Sequence, residues 1–422
     1  MSIRFLLLFF VLPLFASAQP GRVALIAPHI KTLQLKVDGD VARLPVISLG
    51  DNGERLEVSF DDLTHEYVRY TYRIEHCNPD GTLTDGLFAS DYVSAMADEE
   101  VIEDYANSVN TSVLYTHYKF SLPNAHVRPL LSGNYLLTVS TEDEEGVQKP
   151  VVKVYFGVVD SKIGIQTACT TNTDVDWNKS HQQVEMRLDC SSLVLRDAAD
   201  EVCTIVMQNR RYDNAVFHLQ PTAQNGGILI WEHAPQLIFD AGNEYRKFEM
   251  LSTRYPGMHG ESMRWFDPYY HYELMSDVPR KNYLYDEDQD GLRIVRCENG
   301  ADPDTEADYA YVHFTLTSLP YEGRKYYVNG RWADTGLSPQ YEMSYNEQTG
   351  AYETVQLLKM GYYNYLYLSR ERGGSAQGRT AAAEGDFFQT ENEYAVLAYY
   401  KPSGSRYWQL VGTATPVFRV AK

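Results

Sequence analysis

The chain has 422 residues, enough for several domains with real cores, and carries 37 basic against 57 acidic residues for a formal net charge of −20. That balance excludes a general nucleic-acid binder, because phosphate binding needs a basic surface. Aromatic residues make up 13% of the chain and 33 residues are Tyr, a composition that favours antiparallel sheet over helix.

Residues 1–18 read as a secretion signal: Arg4, an apolar run over 5–15, then Ala16-Ser17-Ala18 ahead of Gln19. The run is shorter than the roughly 20 residues of a membrane span, and no Cys follows the cleavage site. The expectation is a mature chain beginning at Gln19 and released in soluble form.

Strands begin at once. Residues 32–37 alternate apolar with polar and end on Asp38-Gly39, a hairpin signal. Leu56, Val58 and Phe60 alternate with polar residues, as do Val68, Tyr70, Tyr72 and Ile74, and then Tyr135, Leu137 and Val139. The run over 151–159 closes a first domain, residues 19–160. Val101, Ile102, Tyr105 and Val109 fall near helical spacing and predict a short helix or an ordered loop.

A second domain is expected over 161–300, with strands around Val184, Met186 and Leu188, over 203–207 and over 227–231. Residues 298–308 are acidic and contain Gly and Pro, which fits an exposed linker. The third domain, 301–422, holds 16 of the 33 tyrosines. Val312, Phe314 and Leu316 alternate there, Asn329-Gly330 signals a hairpin, residues 370–385 read as a mobile loop, and 395–400 and 417–420 supply the last strands. The fold class is therefore all-β: three tandem immunoglobulin-like β-sandwiches of roughly 120–140 residues each.

Chemistry-bearing motifs are few. The chain has no GxSxG elbow, HExxH, P-loop or dinucleotide fingerprint, so neither an enzyme nor a cofactor is expected, although a Ser-His-Asp set can assemble in space without a motif. Cys77, Cys169, Cys190, Cys203 and Cys297 are odd in number and lack zinc spacing. They read as free thiols, or as free thiols with one bridge among Cys169, Cys190 and Cys203. Asp286, Asp288 and Asp290 before Gly291 could converge on calcium, but the twelfth position, where an EF-hand has Glu, is Cys297. The alternative is an acidic turn. The phrase Tyr326-Tyr327-Val328-Asn329-Gly330-Arg331-Trp332, with Tyr363 and Tyr365 further on, resembles a glycogen-binding early-set module. Tyr327, Trp332, Tyr363 and Tyr365 would then stack on sugar rings or meet a partner. Alternatively they pack the domain's own core.

Several phrases in fixed order carry a wider resemblance. They are Phe60-Asp61-Asp62-Leu63, Tyr70-Thr71-Tyr72-Arg73-Ile74-Glu75-His76-Cys77-Asn78, Ile102-Glu103-Asp104-Tyr105-Ala106-Asn107-Ser108, Tyr115-Thr116-His117-Tyr118, Leu122-Pro123-Asn124 and Ser132-Gly133-Asn134-Tyr135. Downstream come Asp174-Val175-Asp176, His181-Gln182-Gln183, Gly242-Asn243-Glu244, residues 359–365 and Thr390-Glu391-Asn392. This combination resembles the plug protein family of the type IX secretion system of Bacteroidetes. The family tends to carry Trp where this chain has Gly81, which puts a role for that loop in doubt. The resemblance implies a non-catalytic periplasmic protein that binds and occludes the outer-membrane translocon barrel, with other type IX components as further partners.

Overall fold

The computed structural model describes residues 22–50, 53–95, 98–298 and 302–419. The expected signal, its cleavage site and position 420 of the last strand lie outside these residues. Among the described residues the strands form sheets of eleven, two, five, four and nine members, and helix is limited to single turns. The all-β expectation holds.

The first module is a sandwich. Strands Ile30–Val37, Leu56–Asp62, Thr116–Leu122 and Asp104–Asn107 make one layer. Tyr70–Cys77, Gly133–Glu142 and Gln148–Val159 are central to the other. Alternation puts Leu33, Leu35, Val58 and Phe60 inward from the first layer, against Tyr72, Ile74, Leu137 and Val154 from the second. Asp38-Gly39 forms the expected tight turn: both residues have positive φ, and Val37 and Asp40 exchange backbone hydrogen bonds. The strand before this turn nevertheless pairs with Leu56–Asp62, not with the next strand in the chain.

The helical reading of residues 101–109 is corrected. Glu100–Val101 and Asp104–Asn107 are strands on two different sheets. Ile102 sits between them, buried in the core, and donates its backbone N–H to Tyr70. The irregular apolar spacing records a chain crossing from one layer to the other, not a helical face.

Strand pairing also crosses the expected boundary at 300/301. Val202–Gln208 pairs with Asn392–Tyr400, and one core joins Val184, Met186, Leu188 and Trp231 to Val396, Ala398 and Val411. Arg246–Met250 pairs with Gly361–Glu371, setting Phe248 opposite Tyr363, and Tyr269–Leu274 runs parallel to Tyr309–Thr317. The second module is therefore discontinuous, and a nine-stranded third module is inserted into it. Residues 298–308 are not a free linker: Asp308 is buried and holds the first module. Nor does 370–385 behave as a loose loop. Glu384 within it is fully buried and accepts from Arg246, Arg280 and the backbone N–H of Tyr367.

Asn329-Gly330 ends strand Arg324–Asn329 without a two-residue hairpin, since the next strand begins only at Glu342. The glycine serves a close approach. A Cβ at Gly330 would lie 2.4 Å from Trp332 Nε1 and 2.6 Å from the Asn364 carbonyl oxygen.

Candidate functional site

The four aromatic candidates lie inside the third module. Tyr363 and Tyr365 are 0% exposed, Trp332 2% and Tyr327 5%. The Trp332 indole donates to the Asn364 carbonyl at 2.8 Å and stacks on Phe314. Tyr363 lies flat against Phe248, and Tyr365 donates to Asp277 at 2.8 Å. None presents a ring face on which a sugar could stack, so the stacking platform is corrected to core packing. The signal that misled is the strand phrase itself, which a structural module shares with a sugar-binding one.

The three aspartates do not converge. Asp286 accepts from Lys247 at 2.6 Å, whereas Asp288 caps the backbone N–H groups of Tyr245 and Asp290. Asp290 and Gly291 both take positive φ, making a turn before strand Arg293–Val295. Burial, followed by the neighbouring Asp288 charge, raises the Asp290 pKa. In the unfolded chain the group ionises near pH 4, so between that value and its raised folded value the fold holds the extra proton, and stability falls as pH rises. Asp290→Asn is thus expected to raise stability by about 1 kcal/mol at pH 8 and to change little at pH 4. Urea titration at both pH values checks this, and a larger gain at the lower pH would contradict it.

All five cysteines are free thiols. Burial pushes the thiols of Cys77, Cys169 and Cys203 up to about 12, which holds them in the protonated, unreactive form. Gly81 lies in a tight turn at φ +79, its N–H bonded to the Asn78 carbonyl.

What the chain brings together instead is a buried polar junction between the first and third modules. Asp61, on strand Leu56–Asp62, is 0% exposed. Its Oδ2 accepts from Tyr309 at 2.6 Å and from Lys359 at 2.8 Å, and its Oδ1 lies 2.6 Å from His117 Nδ1. Lys359 also donates to the Asp304 carbonyl at 2.8 Å and lies over the Tyr115 ring. Asp308 accepts from the backbone N–H groups of Ser112 and Val113. The Tyr115 hydroxyl donates to Ala307, and Arg293 donates to Leu33. Burial raises the Asp61 pKa, but Lys359 and His117 outweigh it and hold the carboxyl below its ordinary value. Burial lowers the Lys359 pKa in spite of Asp61, because the ammonium loses more by leaving water than one neighbour returns.

The other contacts are equally specific. The first and second modules share the eleven-stranded sheet through Val159 and Leu410, and Tyr399 donates to Asn134. The second and third are tied by Arg211 to the Gly378 carbonyl and by the Gly378 N–H to Asp213. Beside these ties, residues of all three modules line a cleft of about 1050 Å³. Asp61, His117 and Lys359 each fall within one of the family phrases, but nothing local joins them to one another or to Tyr309, because they lie far apart in the chain.

Residues 30–160 match the family described as Type 9 secretion system plug protein 1st domain. No curated protein matches the chain. Among solved structures, the chain is similar to a hypothetical protein from Parabacteroides merdae ATCC 43184, with 39% identity, a TM-score of 0.90, and coverage of 94% of this chain and 99% of that one. The major pilin subunit BcpA of Bacillus cereus aligns over 53% of this chain and 59% of its own, at 11% identity and a TM-score of 0.17. The match identifies residues 30–160 as a plug protein first domain, and by that domain the chain belongs to the type IX secretion system plug family.

Proposed function

We propose that the chain is a non-catalytic periplasmic plug that binds and occludes the outer-membrane translocon barrel of the type IX system. Plug-family membership gives it a role in type IX secretion and associates it with that machinery at the outer membrane. Among the described residues no helix is long and apolar enough to cross a membrane.

The observation that carries the finer reading is the rigid union of the modules. A body that blocks a wide pore must keep its shape under load. Modules joined by loose linkers would yield, because domain motion is the default where interfaces are small. Here the Asp61–Lys359 pair, the Asp308 caps and the shared sheet oppose such motion. Surface tyrosines such as Tyr67, Tyr105 and Tyr321 supply apolar area with a hydrogen-bonding tip, which suits a partner interface.

Affinity isolation of the tagged chain from gently solubilised outer membrane is expected to recover one very large β-barrel protein, and deletion of the gene to make the outer membrane permeable to large solutes. Recovery of no barrel, under conditions that keep other outer-membrane complexes intact, would sink the reading.

A further inference from the structure

The cleft where the three modules meet is unusual for so acidic a chain. Seven arginines line it: Arg22, Arg43, Arg210, Arg211, Arg293, Arg331 and Arg379. Three are neutralised by carboxylates. Arg43 is engaged by Asp38 and Glu54, Arg211 by Asp213, and Arg379 by Asp240. The other four are Arg22, Arg210, Arg293 and Arg331.

Their carboxylate partners fall short. Glu393 is held by Arg210 through two of that residue's nitrogens, and Arg331 reaches the same carboxylate only at 3.5 Å. Asp334 lies 3.6 Å from Arg22, beyond hydrogen-bond distance, and its Oδ1 is buried without a hydrogen-bond partner. Arg22 Nε and Arg331 Nε are likewise buried without an acceptor. Asp290 is a further carboxylate near Arg331, with its pKa raised by burial and by the Asp288 charge. Among the described residues, four guanidiniums therefore face Glu393, Asp334 and Asp290, and two of their buried nitrogens, Arg22 Nε and Arg331 Nε, have no acceptor.

A buried, unpaired donor on a charged group is costly to leave unsatisfied. Guanidinium forks match carboxylates in geometry and charge. The cleft is too large for a lone small anion, being at the upper end of the range for ligand sites. Leu35, Met207 and Phe239 also line it, which gives apolar side chains a place between the charges.

We propose that this cleft binds an acidic peptide segment, with its carboxylates on Arg22, Arg293 and Arg331 and its apolar side chains against Leu35, Met207 and Phe239. Such a ligand touches all three modules at once and braces their arrangement. The net charge of −20 repels acidic peptides from the rest of the surface, so the unpaired guanidiniums also select the place of binding. The proposal stands on the purified chain alone and does not depend on the plug reading.

The test is fluorescence polarisation with a fluorescein-labelled peptide of alternating Glu and Leu, titrated with the full mature chain. Saturable one-to-one binding is expected, weakened at least about ten-fold by either Arg22→Gln or Arg331→Gln. It should be unchanged by Arg187→Gln, whose side chain pairs with Glu232 on the outer surface. Circular dichroism confirms that each variant is folded. Should one fail to fold, hydrogen exchange on the unaltered chain decides, with protection on peptide addition expected in residues 209–215 and 329–337. Four results would overturn the proposal: no saturable binding, equal binding of a Gln-Leu peptide, binding indifferent to both cleft substitutions, or full displacement by inorganic phosphate, which would mark a small-anion site.

Discussion

Asp61→Ala is expected to destabilise the protein by about 3–5 kcal/mol, among the largest effects of any single substitution outside the apolar cores. The reason lies in what is left behind. Lys359 is 1% exposed, and without Asp61 its ammonium retains one carbonyl acceptor and the face of Tyr115. Tyr309 loses its charged acceptor and keeps only Thr32 as a partner in a fully buried site, and the His117 Nδ1 contact is lost as well. Burying a charge without its partner costs several times what an exposed ion pair contributes. The exposed pair of Arg187 and Glu232 supplies the comparison: Arg187→Ala is expected to cost no more than about 1 kcal/mol. The double replacement Asp61→Leu with Lys359→Met should recover much of the loss, since well-packed apolar residues can stand in for a buried pair. Urea denaturation of the four proteins decides. An Asp61→Ala chain within 1 kcal/mol of the parent would refute the account of the junction.

The same residue carries a pH signature. The folded-state pKa of Asp61 is held below its unfolded value near 3.9. Its contribution is therefore complete above that value and is lost as pH falls through the lower folded value. The stability difference between parent and Asp61→Ala should be flat from pH 5 to 7 and shrink below about pH 4. A difference that grows on acidification would reverse the sign and remove the charge-based explanation.

The strand content was legible in the sequence because a half-buried strand repeats every two residues, and a short window suffices to see it. Tyr70, Tyr72 and Ile74, or Val312, Phe314 and Leu316, announce their sheets by that period alone. Pairing was not legible. Nothing local distinguishes Val206 as the partner of Val396, or Phe248 as that of Tyr363, and so the insertion of one module into another was missed. The polar junction was hidden for the same reason: Asp61 and Lys359 are 298 positions apart. Residues 298–308 and 370–385 read as surface because they are rich in charge and small residues. Buried acids such as Asp308 and Glu384 look identical in sequence to solvated ones. What marks them is the donor each one meets, and those donors come from distant strands. Family phrases succeeded where physics of short windows could not, because they encode the order of many such long-range contacts together.

Trp332→Ala is the second substitution with a large expected effect, and it separates two meanings of one motif. A tryptophan that stacks on a sugar is exposed, so its loss abolishes binding and leaves stability nearly unchanged. In this fold Trp332 is 2% exposed and fills a site bounded by Phe314, Tyr341 and Tyr363. Its indole N–H answers the Asn364 carbonyl, and Gly330 leaves room for that approach. Truncation removes a large buried surface, opens a cavity among rigid aromatic rings and leaves the carbonyl without its donor, for an expected cost of about 3–5 kcal/mol. Trp332→Phe keeps part of the packing and loses the hydrogen bond, so it should cost less, roughly 1–3 kcal/mol. Thermal and urea unfolding of both variants measure this order. Glycogen titrated into the parent protein should give no heat of binding. A Trp332→Ala chain that unfolds like the parent, alongside measurable glycogen binding by the parent, would return the residue to the surface role that its sequence phrase suggests.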